Sequence, residues 1–343
     1  MRVYYSPKHA LRDSKFELHD GQIVEPFERP SRMEYILKEL DKRGYNDILT
    51  PSDQGLDVTL KLHRADYIDF LTNVHDEWKA LGKGDEAMTY IWPAATMRSD
   101  VIPRQIEARL GYYSMSSDTT ITKGTWEAAL ASKDCAQAGA LDLAANGRSV
   151  FALCRPPGHH AASYQFGGYC FINNAGVAAQ TLLDQGAKRV SILDVDFHHG
   201  NGTQEIFYDR SDVQFLSLHG DPVDCFPYFL GYADEKGEGA GIGFNHNYPL
   251  SEGTSYDKWS EALDQACAEI AKYRPDALVI SLGVDTYEHD PISAFKLKSA
   301  NFLDYGRRLA KLGIPTMFVM EGGYAIDDIG VNTVNVLDGF LKG

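Results

Sequence analysis

Short apolar runs punctuate this chain, and most of them end on a cluster of polar residues. Val3 to Ser6, Val150 to Cys154, Val190 to Asp194, Val213 to Leu218, Ala277 to Leu282 and Thr316 to Met320 are almost free of charge until their last residue. Continuous apolar runs of this length, without in–out alternation, predict strands buried on both faces. Between them the apolar positions recur with a period near 3.6, which predicts helices over Arg32 to Lys42, Tyr67 to Leu81, Trp126 to Ala145, Ala175 to Gln185, Tyr256 to Tyr273 and Asn301 to Leu312. Strand and helix alternate without a Pro/Gly/Ser linker, a repeat or a low-complexity tract. The pattern predicts one α/β domain over residues 1–343, a mostly parallel sheet flanked by helices on both faces, with ligands bound at the carboxyl ends of the strands.

One stretch breaks the pattern. From Met88 to Thr125 the chain is rich in Trp, Pro, Tyr and Ser and weakly periodic, too long for an ordinary connection. Its aromatics (Tyr90, Trp92, Tyr112, Tyr113) argue against disorder and for a lid or a binding surface.

Composition narrows the function classes. The chain has 343 residues, 44% hydrophobic and 24% charged, with a formal net charge of −15. That balance disfavours nucleic acid and anionic membranes and attracts cationic ligands. Five cysteines (Cys135, Cys154, Cys170, Cys225, Cys267) include no CxxC pair, so neither a disulfide framework nor a cysteine zinc site is expected. No signal-peptide core or membrane-spanning run is legible, and a cytoplasmic location is the expectation.

The chemistry sits at the strand ends. After Val190 to Asp194, the extended run Asp194-Val-Asp-Phe-His198 points Asp194, Asp196 and His198 to one face. Asp285 ends another apolar run, and Asp196, His198 and Asp285 together make two carboxylates and one imidazole. Three such ligands suit a catalytic zinc, which keeps a position open for water or substrate. His159-His160 follow a third run and Tyr324 a fourth, so the strand ends together bring a metal, two imidazoles and a phenol. A metal that polarises a carbonyl, a histidine that takes a proton and a donor for the oxyanion make a hydrolytic set.

Four motifs, Arg155-Pro-Pro-Gly-His-His160, Phe166-Gly-Gly-Tyr-Cys-Phe-Ile-Asn-Asn174, Asp194-Val-Asp-Phe-His-His-Gly-Asn-Gly-Thr203 and Glu321-Gly-Gly-Tyr324, resemble those of the histone-deacetylase superfamily, in the same order and over nearly the whole chain. The nearest subgroup looks like the bacterial acetylpolyamine amidohydrolases. The resemblance implies one zinc on Asp196, His198 and Asp285 (with Fe²⁺ or Co²⁺ as substitutes), His159 as general base, His160 as the acid for the leaving amine, and Tyr324 as donor to the carbonyl oxygen. It implies Asp194 orienting His159, and Asn201 in place of the carboxylate that partners the second histidine in many protein deacetylases. It further implies a structural potassium on the backbone around Asp194, Asp196, His198 and Leu218 with the Ser217 hydroxyl, and an outer potassium site near Phe207, Arg210, Val213 and Phe244. Tyr169 and Phe226 match the walls of an aromatic tunnel, and Gly168 matches the carbonyl that meets the scissile N–H. Substrates would be small cationic acetylated amines, and the 88–125 insertion would form a homodimer and narrow the entrance. Glu107 and Asp118 are candidates to meet a distal ammonium.

Other classes remain as alternatives. A protein acetyl-lysine deacetylase would share every catalytic residue. An arginase-like ureohydrolase would need ligands for a second manganese, where Gly200-Asn201-Gly202 stands instead. A zinc-retaining binding module would be expected to lack a histidine or the tyrosine, and His159, His160 and Tyr324 are all present.

Overall fold

The protein is described here by a computed structural model covering residues 1–343. Its strands are β1 (Arg2–Tyr4), β2 (Glu17–His19), β3 (Gln22–Val24), β4 (Ile48–Leu49), β5 (Val150–Ala152), β6 (Val190–Asp194), β7 (Val213–Gly220), β8 (Asn245–Leu250), β9 (Ala277–Leu282) and β10 (Thr316–Met320). Its helices are α1 (Ser31–Lys42), α2 (Ala65–Ala80), α3 (Ile106–Tyr112), α4 (Thr125–Asn146), α5 (Asn174–Asp184), α6 (Asn201–Phe207), α7 (Tyr256–Tyr273), α8 (Ser299–Ala310) and α9 (Ile326–Lys342).

Eight strands form one sheet in the order β4-β1-β5-β10-β9-β6-β7-β8, and every pairing in it is parallel. The apolar runs sort their side chains to two cores, one on each face. On β9, Ala277 and Val279 join the core beneath α2, α4 and α5, while Leu278, Ile280 and Leu282 join the core beneath α1, α7, α8 and α9. Val190 and Ile192 of β6 face the first core and Leu193 the second. A strand that feeds two cores must be apolar at consecutive positions, which is why these runs do not alternate.

Strands β6, β9 and β10 and helix α7 have the bounds predicted from the pattern, and the other predicted elements differ at their ends by at most two residues. Helix α9 was not among the predicted helices: its two glycines and its β-branched residues have low helix propensity, although its apolar residues recur on one face. A Cβ on Gly330 would lie 2.4 Å from the Tyr35 carbonyl oxygen of α1, and one on Gly339 would lie 2.1 Å from that of Leu303 in α8. The glycines that weaken the helical signal are the ones that let α9 pack closely on α1 and α8. Strand β8 is an edge strand with polar residues and Pro249, a composition that edges tolerate and interiors do not.

The order of strands places the site. β5, β10, β9 and β6 are neighbours at the centre of the sheet, although they come from distant parts of the chain. Their carboxyl ends therefore open onto one crevice. The N-terminal segment closes over it through a buried charge cluster. Glu28 accepts hydrogen bonds from Arg12 (2.7 Å), Arg32 (3.1 Å) and Arg155 (2.6 Å), with all four side chains out of solvent. Burial opposes ionisation of Glu28, but the three guanidinium groups outweigh it and hold the carboxyl at about 2.

Residues 88–125 are ordered by more than aromatic content. An antiparallel bridge between Ala87 and Ile121 closes the base of the segment, and α3 lies within it. Tyr112 and Tyr113 are buried, Tyr113 stacking on Phe70 at 4.5 Å between ring centroids. Tyr90, Ile91, Met97, Val101 and Ile102 are exposed. No helix of the protein is long and apolar enough to cross a membrane.

Candidate active site

Asp196 and His198 follow β6 and Asp285 follows β9, and their ligating atoms lie within 4.8 Å of one another. His198 Nδ1 is 3.0 Å from Asp285 Oδ2 and 3.3 Å from Asp196 Oδ1. The spare carboxylate capacity is taken by backbone N–H groups, Phe197 donating to Asp285 and Gly322 to Asp196. Burial opposes ionisation of Asp196, yet the charges of His159 and His198 hold its carboxyl well below the usual range. Asp285 goes the other way, pushed up by burial and by the Asp196 charge. Two buried carboxylates with one imidazole between them fit a divalent cation, which would relieve that repulsion and needs their donor types.

The two histidines are set by different partners. His159 Nδ1 lies 2.9 Å from Asp194 Oδ2, so its Nδ1–H donates to the carboxylate and leaves Nε2 free. Burial pulls the His159 imidazole down, but the Asp196 and Asp194 carboxylates outweigh it and hold it up at about 10. His160 Nδ1 lies 2.7 Å from Asn201 Oδ1, so an amide stands where a carboxylate would hold the proton harder. Burial, then the neighbouring charges of His159 and His198, push His160 well below the usual imidazole range. Their rings are 4.0 Å apart between centroids. His160, and not His159, is exposed to the cavity.

That cavity, about 680 Å³, has His160, His198 and Tyr324 at its inner end. Tyr169 packs edge-on against Tyr324 at 5.7 Å, and Phe226 packs edge-on against His160 at 5.2 Å, so both predicted aromatics line the cavity beside the site. Gly168 has φ +52°, and a Cβ there would sit 2.3 Å from the His160 ring, so the turn admits only glycine. Gly168 N–H donates to Ser116 and Asp118, and Tyr169 N–H to Thr119 at 2.7 Å, so the end of the 88–125 segment braces this turn. Burial pushes the Tyr324 phenol well above its ordinary value, against the pull of Arg32, and it stays a hydroxyl donor.

The candidates for a distal ammonium separate. Asp118 lines the cavity, with its Oδ1 accepting from Ser116 and Thr119. Glu107 does not line it: it sits in the first turn of α3 and pairs with Lys83 at 2.7 Å, so a single chain does not bring it to the mouth. Asp20, Asp224 and Glu252 do line the mouth, which has no lysine or arginine, and none of the three was singled out from sequence. Also missed was Glu17, buried in β2, which accepts a hydrogen bond from the Tyr169 hydroxyl at 3.0 Å; burial pushes its carboxyl up to about 7. Its one sequence signal was the Asp20-Gly21 turn that closes the β2–β3 hairpin, with φ of 49° and 74°. Glu321 carries a role the motif alone did not give: its Oε2 accepts from Gly158 and His159 N–H, tying the histidine turn to the tyrosine turn.

Of the potassium ligands that the resemblance implies, Asp194, Ser217 and Leu218 lie in neighbouring strands of the sheet, and Asp196 and His198 follow β6. Asp194 stands opposite Ser217 in the β6–β7 register, and the Ser217 hydroxyl is 2.8 Å from His219 Nδ1. Near the outer site, the Phe207 carbonyl accepts from Arg210 N–H and the Phe244 carbonyl from Phe215 N–H. The five cysteines are free, and Cys154 and Cys170 are fully buried.

The chain as a whole, and not the crevice alone, is similar to known proteins. The Histone deacetylase domain matches residues 26–340, and the chain belongs to the histone deacetylase family as a hydrolytic deacetylase. Within it, the full-length resemblance is to acetylpolyamine amidohydrolases. The chain is 53% identical over 339 residues to the "Acetylpolyamine amidohydrolase" of Mycoplana ramosa, covering 99% of each. It is 52% identical over 341 residues to "Acetylpolyamine amidohydrolase 1" of Pseudomonas aeruginosa, again covering 99% of each. The crystal structure of the acetylpolyamine aminohydrolase from Burkholderia pseudomallei superposes with a TM-score of 0.95 at 37% identity, covering 99% of this chain and 98% of that one.

Proposed function

We propose that the protein removes acetyl groups from N-acetylated diamines and polyamines such as acetylputrescine, acetylcadaverine and acetylspermidine, using a divalent metal. The observation that carries this reading is a cavity lined by Tyr169, Phe226 and Tyr324 that reaches His198 of the Asp196–His198–Asp285 cluster and is also lined by carboxylates and by no lysine or arginine. The names of the full-length relatives agree with it. A cation held by Asp196, His198 and Asp285, with zinc the best match and Fe²⁺ or Co²⁺ also accepted, would supply Lewis-acid polarisation of the acetyl carbonyl and make water easier to deprotonate.

The remaining work falls to side chains. Tyr324 donates its hydroxyl to the oxygen of the acetyl group as negative charge develops there. His159 accepts the proton of the attacking water at Nε2, with Asp194 fixing the other nitrogen. The departing amine is protonated through His160, which faces the cavity: bonded to Asn201 through Nδ1–H, its Nε2 first takes up the proton that water gave to His159 and passes it to the nitrogen as the C–N bond breaks. The Gly168 carbonyl accepts the substrate N–H, and Tyr169 and Phe226 sheathe its methylene chain. Backbone oxygens of Asp194, Asp196, His198 and Leu218, with the Ser217 hydroxyl, form an oxygen-only set suited to a structural potassium.

Substrate class is tested by charge. Asp118→Asn should raise KM for acetylputrescine several-fold more than KM for N-butylacetamide, because only the first carries a distal ammonium. Equal changes for both substrates would sink the ammonium role. On metal-defined wild-type enzyme, acetylputrescine should outperform an acetyl-lysine peptide in kcat/KM, and the reverse order would establish the protein-deacetylase alternative.

The exposed apolar side chains from Tyr90 to Ile102 support a homodimer through the 88–125 segment, since monomers seldom leave such a patch uncovered. Replacing residues 90–102 by a short Gly/Ser linker should shift the sedimentation coefficient from dimer to monomer. A wild-type chain that sediments as a monomer at micromolar concentration would refute the interface.

A further inference from the structure

Tyr324 stands on a backbone that does not hold itself. It follows Gly322 and Gly323, and a Cβ on Gly322 would lie 2.6 Å from both Asp196 Oδ2 and Asp285 Oδ2. Close approach to the metal ligands thus demands glycine, and glycine leaves the tyrosine's position undetermined by local sterics. Gly322 itself is held by Asp196, which accepts its N–H, and by Val284 N–H, which donates to its carbonyl, and two further groups hold the residues on either side. From one side Arg32 donates to the Gly323 carbonyl at 2.7 Å and to that of Glu321 at 2.5 Å. From the other, Asp290 Oδ2 accepts the N–H of Tyr324 itself at 2.7 Å and that of Ala325 at 3.3 Å.

Asp290 lies in the loop after β9 and is 8% exposed. Its second oxygen is also committed: Oδ1 accepts from Ile292 N–H at 3.1 Å. Pro291, Ile292, Ser293 and Ala294 form a stretch of the cavity wall. One carboxylate therefore joins the wall on one oxygen to the tyrosine turn on the other. The acceptor chemistry matters here. A carboxylate offers lone pairs on both oxygens, whereas an amide would turn an NH₂ group toward one set of N–H donors. Tyr324 and Ala325 also lead into α9, whose first N–H groups have no partner within the helix and favour an anion.

We propose that Asp290 is a positioning residue for catalysis, registering the Tyr324 hydroxyl against the wall along which the substrate's alkyl chain lies. It touches neither substrate nor metal and acts through Tyr324. This assignment rests on the oxyanion role given to Tyr324 above.

A double-mutant cycle separates positioning from general support. Wild type, Asp290→Asn, Tyr324→Phe and the double variant are compared as zinc-loaded enzymes, with acetylputrescine as substrate, or an acetyl-lysine peptide if that is the better one. Asp290→Asn should lower kcat about 10-fold with KM changed less than about 2-fold, and metal content should stay at the wild-type level. In the Tyr324→Phe background the same substitution should cost less than about 2-fold, because the group it positions is already gone. If Asp290→Asn does not accumulate as folded protein, Asp290→Glu keeps the charge and displaces it by one methylene, and its loss should likewise vanish in the Tyr324→Phe background. An undiminished loss in that background, or no loss in the single variant, overturns the assignment. Should Tyr324→Phe alone keep full kcat, the oxyanion role fails and the Asp290 assignment with it, while the substrate class stands on its own measurements.

Discussion

His198→Ala should yield a folded protein that holds no divalent metal tightly and hydrolyses no acetylated amine. The substitution removes the one imidazole from a set of three ligands and leaves Asp196 and Asp285 facing each other without the positive partner that lies 3.3 and 3.0 Å from them. Two buried carboxylates in that position take up protons rather than remain both ionised, and protonated carboxyls are poor ligands. The fold should survive, because His198 lies beyond the end of β6 and outside both apolar cores. Metal analysis after dialysis, circular dichroism and a deacetylation assay test the three parts separately. Full turnover by a variant shown to contain no metal would remove the metal from the mechanism.

Tyr324→Phe should keep its metal and lose about 10²–10³ in kcat, the range expected for one oxyanion donor. The ring remains to pack edge-on against Tyr169 and beneath Arg32, whose guanidinium lies 5.0 Å from its centroid, so only the hydroxyl is deleted. A donor that acts only as charge develops lowers kcat and kcat/KM together and leaves substrate binding alone. A loss below threefold would make Tyr324 a residue of the turn and nothing more.

The parts of this protein that were legible in its sequence are those where the local pattern and the tertiary role agree. Strands β6, β9 and β10 feed two cores at once and are therefore apolar at most consecutive positions, and the polar residues that follow them mark the site. The metal ligands could be read because two of them share one extended segment and the third ends a similar run. The residues that escaped are those whose role depends on what lies across a gap in the chain. Glu17 looks like any acidic residue near a turn until Tyr169 is placed above it. Asp290 looks like a loop aspartate until Tyr324 N–H is placed beside it. Asp20, Asp224 and Glu252 have no pattern among themselves, since three separate loops deliver them to the mouth. Glu107 had the right chemistry, and its salt bridge to Lys83 shows how little sign alone says about place. The glycines of α9 were the reverse case, with a local preference against helix overruled by close packing.

The position of β10 has a consequence for how the molecule is made. The strand is synthesised last of the ten, yet it lies between β5 and β9 in the finished sheet. Until it is in place, the sheet exists as two pieces, β4-β1-β5 and β9-β6-β7-β8, each with an apolar strand at an open edge. Such edges recruit other strands. At roughly 5–20 residues per second, the stretch from Leu282 to Met320 keeps the nascent chain in this divided state for about 2–8 seconds. No hydrolytic activity is expected before β10 is made, because Tyr324 follows that strand and the contacts from Arg32 to Glu321 and Gly323 span nearly the whole chain. Chains released before Met320 should aggregate rather than behave as weak enzymes, since they lack the strand that joins the two halves.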